Sequence, residues 1–432
     1  MARIELFCII EGVPAGLLWQ DAAGLIFFRY ADGYQGIPLS LSMPITNRTY
    51  GQKVVSPYLF GLLPDREEQR RAMAQEYGGR PNNAVALLAH IGMDCPGAVQ
   101  FCHADEGSLT NVLTRPGSYE RLAEHEMALR LKELRLSADD SWLAEGEHWS
   151  LGGNQGKFAL ALRDGAWCSC QGAAATTHIF KNGVVGYRLQ ALNEYVCMRT
   201  ATECGIDAAH VSYDHFEDEP ALIVERYDRK EEDGIVARHH YEDLCQSLSV
   251  MPSMKYTADG GPTTYDVLRL LASTGADAAR NLVAFTRQLF FNCLIGAPDA
   301  HAKNYSLRLG PQGSATLAPM YDVASALAYE GMARTGRLAM AIGGENRFGR
   351  VGSGAIGRYA TGGNDIVKAS MEAAGLDAAG CVDIMGHLAE RVPQRMERVF
   401  EQNAHVPGMD ELRERLLGPV TRNCAQTLAL LG

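Results

Sequence analysis

Asn292-Cys-Leu-Ile-Gly-Ala-Pro-Asp-Ala-His-Ala-Lys-Asn-Tyr-Ser306 is the stretch on which the reading of this chain turns. Four residues separate Asp299 from Asn304. That is the D-x-x-x-x-N spacing of a kinase catalytic loop, where the Asp receives the acceptor hydroxyl and the Asn holds a metal. Asp322, in Pro319-Met-Tyr-Asp-Val323, follows eighteen residues after Asn304. Between them, Tyr305 to Leu309 alternates, Gly310-Pro-Gln-Gly313 has turn chemistry, and Ala315 to Ala318 returns. The pattern predicts a hairpin that folds Asn304 and Asp322 together, where one Mg²⁺ could bridge them. An ordinary polar turn is the structural alternative, and a motif needs its context.

The context comes from the flanking chain. At 432 residues it can build two or three domains, and a net charge of -11 argues against a dominant nucleic-acid role. Eleven scattered cysteines do not form a disulfide framework and read as reduced thiols, with Cys168-Ser-Cys170 in strand packing. The acidic Glu5 in the first apolar run argues against a signal peptide. No stretch has the length of a membrane span, so no membrane partner is expected.

Residues 1–105 read as a β-rich subdomain with short helices near 66–77 and 84–91, a module for docking a partner. A polar linker is expected over 104–118, then a helix over 119–136. In His148-Trp-Ser-Leu-Gly-Gly-Asn-Gln-Gly-Lys157, a Gly-rich loop lets backbone N–H groups approach phosphates, although it is not a Walker loop. A glycine-rich hairpin is the bland alternative. Lys181 ends a strand, and a helix over 187–204 carries Glu194, which together suit a phosphate clamp. Ala221 to Arg229 is an apolar strand with a polar end, where backbone near Glu225 and Tyr227 would read adenine. From about 238 the pattern turns helical, with helices over 241–249, 265–272 and 277–295. Residues 331–364 read as a Gly-rich loop whose Arg334, Arg337, Arg347, Arg350 and Arg358 face one acid, Glu345.

The fold class expected is α+β: a two-lobed protein-kinase-like fold with an extra N-terminal β-rich subdomain and an all-helical C-terminal lobe. The domains would be 1–105, an N-lobe at 119–229 and a C-lobe at 238–432.

The stretch at 292–306, together with Pro38-Leu-Ser-Leu-Ser-Met-Pro44, Leu59-Phe-Gly-Leu-Leu-Pro64, Gly92-Met-Asp-Cys-Pro-Gly-Ala98 and Val224-Glu-Arg-Tyr-Asp-Arg229, resembles the HipA-type toxin serine/threonine kinases over nearly the whole chain. D-x-H-x-x-N is shared with lipid kinases, whereas the N-terminal motifs are not.

The resemblance implies an ATP- and Mg²⁺-dependent cytoplasmic bacterial kinase of a toxin–antitoxin pair. It would arrest growth by phosphorylating a translation component, in known cases an aminoacyl-tRNA synthetase. The partner implied is a helix-turn-helix antitoxin dimer, through which the chain would meet DNA. By the same resemblance Asp299 is the catalytic base, and Asn304 and Asp322 are the metal ligands. The ATP-contacting residues are Gly152, Gly153, Asn154, Gln155, Gly156, Lys157, Lys181, Glu225, Arg226, Tyr227, His301, Lys303, Asn304, Tyr321 and Asp322. Ser150 is the autophosphorylated serine, whose phosphate would expel the loop. Gly156 stands where the family commonly has an acid, and Tyr241-Glu242 where it often has Gln-Glu. The alternative is a catalytically silent pseudokinase acting as a co-repressor with a DNA-binding antitoxin.

Overall fold

The computed structural model of the protein describes residues 3–77, 80–115, 117–136, 143–144, 146–184 and 186–432. The chain divides into two compact units: residues 1–184, 214–253 and 308–313, and residues 185–213, 254–307 and 314–432.

In the first unit, an antiparallel sheet orders its strands Tyr50–Gly51, Ile26–Tyr30, Val13–Gln20, Ile4–Ile10 and Val99–His103. Strand alternation sends Leu6, Cys8 and Ile10 to one face, and Leu6 lies opposite Leu18. Helices Gln52–Gly61 and Ala84–Ile91 cover that face with Tyr58, Leu59, Leu87 and Leu88. Asn83 caps the second helix, its side chain accepting from the Ala86 N–H.

Five neighbouring strands of a second, six-stranded sheet run antiparallel in the order Glu219–Glu225, His178–Lys181, Phe158–Arg163, Ala166–Gln171 and Ser118–Arg121. Helix Glu124–Leu136 packs on it through Met127 and Leu131, over Phe158 and Phe180, whose rings stack 5.1 Å apart. The helix expected from residue 119 therefore begins later, because Ser118–Arg121 pairs with Ala166–Gln171. The expected linker at 104–118 contains a helix, Glu106–Thr114, capped by Asp105. Cys168 and Cys170 are buried in their strand, and all eleven cysteines are buried free thiols.

The Pro38–Pro44 motif has a packing role in this unit. Its Leu41 N–H donates to Glu242 Oε1 at 2.9 Å, and the Ser247 hydroxyl donates to the same oxygen at 2.8 Å. Burial, outweighing these bonds, pushes the Glu242 carboxyl up to about 7. The folded state thus holds this proton more tightly than the unfolded chain. That contribution is complete below the ordinary carboxylate value and is lost as pH rises through about 7. Glu242→Gln should therefore match wild type in urea unfolding near pH 4 and exceed it at pH 8, by on the order of 3 kcal/mol. Parallel stability-against-pH curves for the two proteins would contradict this.

The second unit is mostly helical. Its longest helices, Ala378–Gln402 and Met409–Leu431, pack on each other and on Ala278–Ile295, with Gln190–Glu203 against the first. The unit is not wholly helical: Arg337–Ile342 and Glu345–Arg347 form a hairpin, and helices Glu330–Thr335 and Ser353–Ala360 flank it. A loop was the expectation there. The strand buries Leu338, Met340 and Ile342, an alternation that the surrounding glycines obscure in the sequence. The arginines of this stretch partly serve the fold: Arg347 pairs with Glu345 at 2.8 Å, and Arg358 donates to the Gly343 carbonyl at 2.7 Å. No helix among the described residues is long and apolar enough to cross a membrane.

Candidate active site

The loop at 297–304 is delivered by helix Ala278–Ile295, which ends at Gly296 in a left-handed conformation (φ +66). A Cβ on Gly296 would stand 2.5 Å from the Leu327 side chain, so both backbone and space demand glycine. The Ala297 N–H then closes on the Asn292 carbonyl at 2.8 Å. Beyond the loop, Tyr305 is tied back to the helix, its ring 5.0 Å from Phe285 and its hydroxyl accepting from Asn292 Nδ2 at 3.0 Å.

Inside the loop the backbone is braced by its own residues. The His301 N–H donates to the Asp299 carbonyl at 2.8 Å, and Asn304 Nδ2 donates to the same carbonyl at 2.8 Å. The amide nitrogen of Asn304 is thereby used, and its oxygen is the group left for a ligand. The Asp299 carboxylate is 58% exposed, with His301 Nε2 3.6 Å away and the His301 ring buried beneath it. Lys303 is buried, and its carbonyl accepts from the Tyr321 hydroxyl at 2.9 Å.

The chain returns as the hairpin pattern predicts. Strands Ser306–Leu309 and Ala315–Leu317 flank a turn at Pro311–Gly313, and the Ala318 N–H donates to the Ser306 carbonyl at 2.8 Å. Asp322 then sits at φ +58, a conformation uncommon outside glycine and one that Asp tolerates better than most. The segment after it is locked by Asn193, whose amide donates to the Ser325 carbonyl at 2.8 Å and accepts from the Ser325 N–H at 3.1 Å. One pocket is lined by Asp299, Asn304, Tyr321 and Asp322 together with Asn292.

These residues fit a magnesium ion. A carboxylate and an amide oxygen are hard donors, few enough to leave places for water and phosphate. Asn292 lines the same pocket, and among the described residues its buried Oδ1 has no hydrogen-bond partner. A hydrated cation would satisfy it through a bound water. Among the described residues no cluster of three or more His, Cys, Asp or Glu side chains forms a metal site, so a zinc-type centre is not what this pocket offers.

The Gly-rich loop lies in the first unit. The segment before it is held as a short parallel bridge to Asp94: the Asp94 N–H donates to the His148 carbonyl at 3.3 Å, and the Ser150 N–H to the Asp94 carbonyl at 3.0 Å. Within the loop, the Asp65 N–H donates to the Gly153 carbonyl at 3.0 Å. The Leu59–Pro64 motif thus ends where it pins the loop. Gly153 is left-handed (φ +101), and a Cβ there would lie 2.7 Å from Lys157 Nζ. That ammonium donates to the Gly152 carbonyl at 2.8 Å and is buried. Asn154 is exposed, whereas Gln155 and Gly156 are half-buried. Ser150 is fully buried, beside the Cys95 thiol.

Lys181 is buried in strand His178–Lys181, opposite Leu222. Glu194 is buried on helix Gln190–Glu203 of the other unit. At the expected hinge, Glu225 is exposed and Tyr227 packs edgewise on Tyr241 at 5.0 Å. Arg226, expected among the nucleotide contacts, has its side chain committed to the fold. Its guanidinium binds Asp228, Asp94, Thr176 and the Cys95 carbonyl, and its N–H donates to the Thr177 carbonyl.

Two residues that hydrogen-bond to these segments were not singled out from the sequence. Tyr256 donates its hydroxyl to Asp299 Oδ1. Asp94 anchors the segment before the Gly-rich loop. Neither sits at a motif spacing from the residues it serves.

A family model described as the HipA-like C-terminal domain matches residues 149–396, and one described as the HipA N-terminal domain matches residues 7–102. The chain belongs to the HipA family. The serine/threonine-protein kinase toxin HipA of Shewanella oneidensis is 30% identical over 412 residues, covering 91% of this chain and 88% of that protein. Y4mE of Sinorhizobium fredii is 35% identical over 343 residues, covering 77% of this chain and 79% of its own. The solved complex of Shewanella oneidensis HipA, HipB and operator DNA contains a chain that matches with a TM-score of 0.82 at 25% identity, covering 98% of both. The mixed α and β architecture is thus that of a HipA-type kinase toxin, with the family's N-terminal module ahead of its kinase-like part.

Proposed function

We propose that this HipA-family chain is an ATP- and Mg²⁺-dependent protein serine/threonine kinase. The observation that supports this most is the convergence of Asp299, Asn304 and Asp322 on one pocket, with Asn304 donating to the backbone of the residue it must align with. Asp299 would orient the acceptor hydroxyl and receive its proton. Asn304 and Asp322 would hold Mg²⁺, which neutralises charge on the transferring phosphate. Gly152–Lys157 and Lys181 would bind ATP phosphates through backbone N–H groups and ammonium charge, with adenine read near Glu225 and Tyr227. The domain roles follow: docking by 1–105, nucleotide binding by 119–229 and phosphoryl transfer by 238–432.

The biological setting is inferred from relatives. The Shewanella oneidensis HipA was solved with HipB and operator DNA. A HipB-like helix-turn-helix antitoxin dimer is accordingly the partner proposed here, with DNA met through it, since a net charge of -11 disfavours direct binding. The target would be a cytoplasmic translation component such as an aminoacyl-tRNA synthetase, and growth arrest its result.

Ser150 is the proposed site of self-limitation. A phosphate there cannot be accommodated without displacing the segment, because the hydroxyl is fully buried and its N–H is tied to Asp94. Wild-type protein incubated with Mg-ATP should gain one phosphate by intact mass, mapped to Ser150. Ser150→Ala and Asp299→Asn should gain none. A phosphate-free wild-type preparation that stays unmodified would count against self-limitation at this serine.

A further inference from the structure

Tyr256 lies in the segment Met254-Lys-Tyr-Thr-Ala-Asp259, 43 positions before Asp299 in the chain and in the same unit. Its hydroxyl donates to Asp299 Oδ1. Its ring stands edge-on to the buried His301 ring, centroids 4.8 Å apart and planes at 85°. His301 Nε2 is in turn 3.6 Å from the same carboxylate oxygen. One oxygen of Asp299 is therefore flanked by two groups from the protein.

An Asp carboxylate 58% exposed on a loop has several side-chain rotamers open to it, among which its neighbours select. The hydrogen bond from half-buried Tyr256, whose ring is braced by His301, favours one of them. Fixing the reacting group in this way is a large part of what a phosphoryl-transfer site supplies.

Building on the kinase reading above, we propose that Tyr256 is a positioning residue for phosphoryl transfer, orienting the Asp299 carboxylate through its hydroxyl. Tyr256→Phe removes that hydroxyl and keeps the ring on His301, so the loop's packing survives. The measurement is ADP formation from saturating Mg-ATP with a mixed serine/threonine peptide library, using the full chain. Mg-ATP affinity by calorimetry and a thermal melt are recorded on the same samples.

The expected result is a fall in the maximal rate of about tenfold, with KM for ATP, nucleotide affinity and melting temperature unchanged. Tyr256→Leu, which loses the ring as well, should fall further while still binding Mg-ATP. A Tyr256→Phe rate equal to wild type, beside an inert Asp299→Asn, would overturn the positioning role and leave the kinase reading standing. A faster Tyr256→Phe enzyme would overturn it too, since the hydroxyl would then be blocking the acceptor's place. A wild-type chain no more active than Asp299→Asn would overturn the kinase reading, and the Tyr256 assignment with it.

Discussion

Asp299→Asn is expected to lower phosphoryl transfer about a thousandfold while leaving Mg-ATP affinity within a factor of two. The amide is the same size as the carboxylate, so the loop bonds from His301 and Asn304 to the Asp299 carbonyl are untouched. What disappears is the group proposed to accept the proton. Loss of a positioned base typically costs a factor of about 10²–10⁴. Asp322→Ala should be as inert for a different reason. It removes the single carboxylate of the proposed metal pair, and with it the magnesium dependence of nucleotide binding. The two variants are separated by titrating ATP with and without Mg²⁺: the Asn variant keeps the difference, and the Ala variant loses it. The position itself favours tolerance of the second change least, because Ala at φ +58 is more strained than Asp. Its melting temperature belongs beside its activity, with Asp322→Asn as the variant that keeps the backbone preference. An Asp299→Asn protein as active as wild type would remove the proposed base and the reaction built on it.

How much of this could be read from the chain depends on distance along it. Asp299, Asn304 and Asp322 are local: one loop and one hairpin connect them, and the hairpin's alternation and turn glycines are visible as letters. Helix Ala278–Ile295 was visible by its apolar spacing. Tyr256 was not, because its link to Asp299 is made by packing of the chain and leaves no periodicity. The same holds for Arg226. Its side chain's partners include Asp94 and Thr176, remote in sequence and near in space, whereas the nucleotide contact expected at this strand end is one made by backbone groups. The hairpin at 337–347 was hidden by composition: its three buried residues alternate with alanines, which carry no polar signal, and glycines and arginines flank the run. Motifs that had only family resemblance to commend them now have physical tasks. Leu59–Pro64 leads to the Asp65 N–H that holds Gly153, and Gly92–Ala98 carries Asp94.

Asp94→Ala should be the most destabilising single change in the first unit, by about 3–5 kcal/mol. Its carboxylate is buried and accepts from Arg229 at 2.9 Å, Arg238 at 2.9 Å, Arg226 at 3.2 Å and Thr176, through both its N–H and its hydroxyl. Burial alone would raise its pKa, but the three guanidiniums, Arg229 foremost, hold it well below the usual carboxylate range. Asp228 is the second acid of the cluster, bonded to Arg226, Arg229 and the Gly97 N–H. Without Asp94, three buried or half-buried cations would share one carboxylate, and such an uncompensated charge is costlier than the loss of a hydrogen bond. Asp94→Asn restores the shape and part of the bonding but not the charge, so it should fall between. At about 2–4 °C per kcal/mol for a unit of this size, Asp94→Ala should melt roughly 10 °C below wild type. Arg135→Ala supplies the contrast. It breaks a half-exposed pair with Glu219 and should cost less than about 1 kcal/mol. The backbone bonds from Asp94 to His148 and Ser150 survive the substitution, but the scaffold that aims them does not. Mg-ATP affinity should therefore weaken together with stability, whereas a purely local repacking would lower the melt alone. An Asp94→Ala protein that melts with wild type would show that the cluster is not what holds this segment in place.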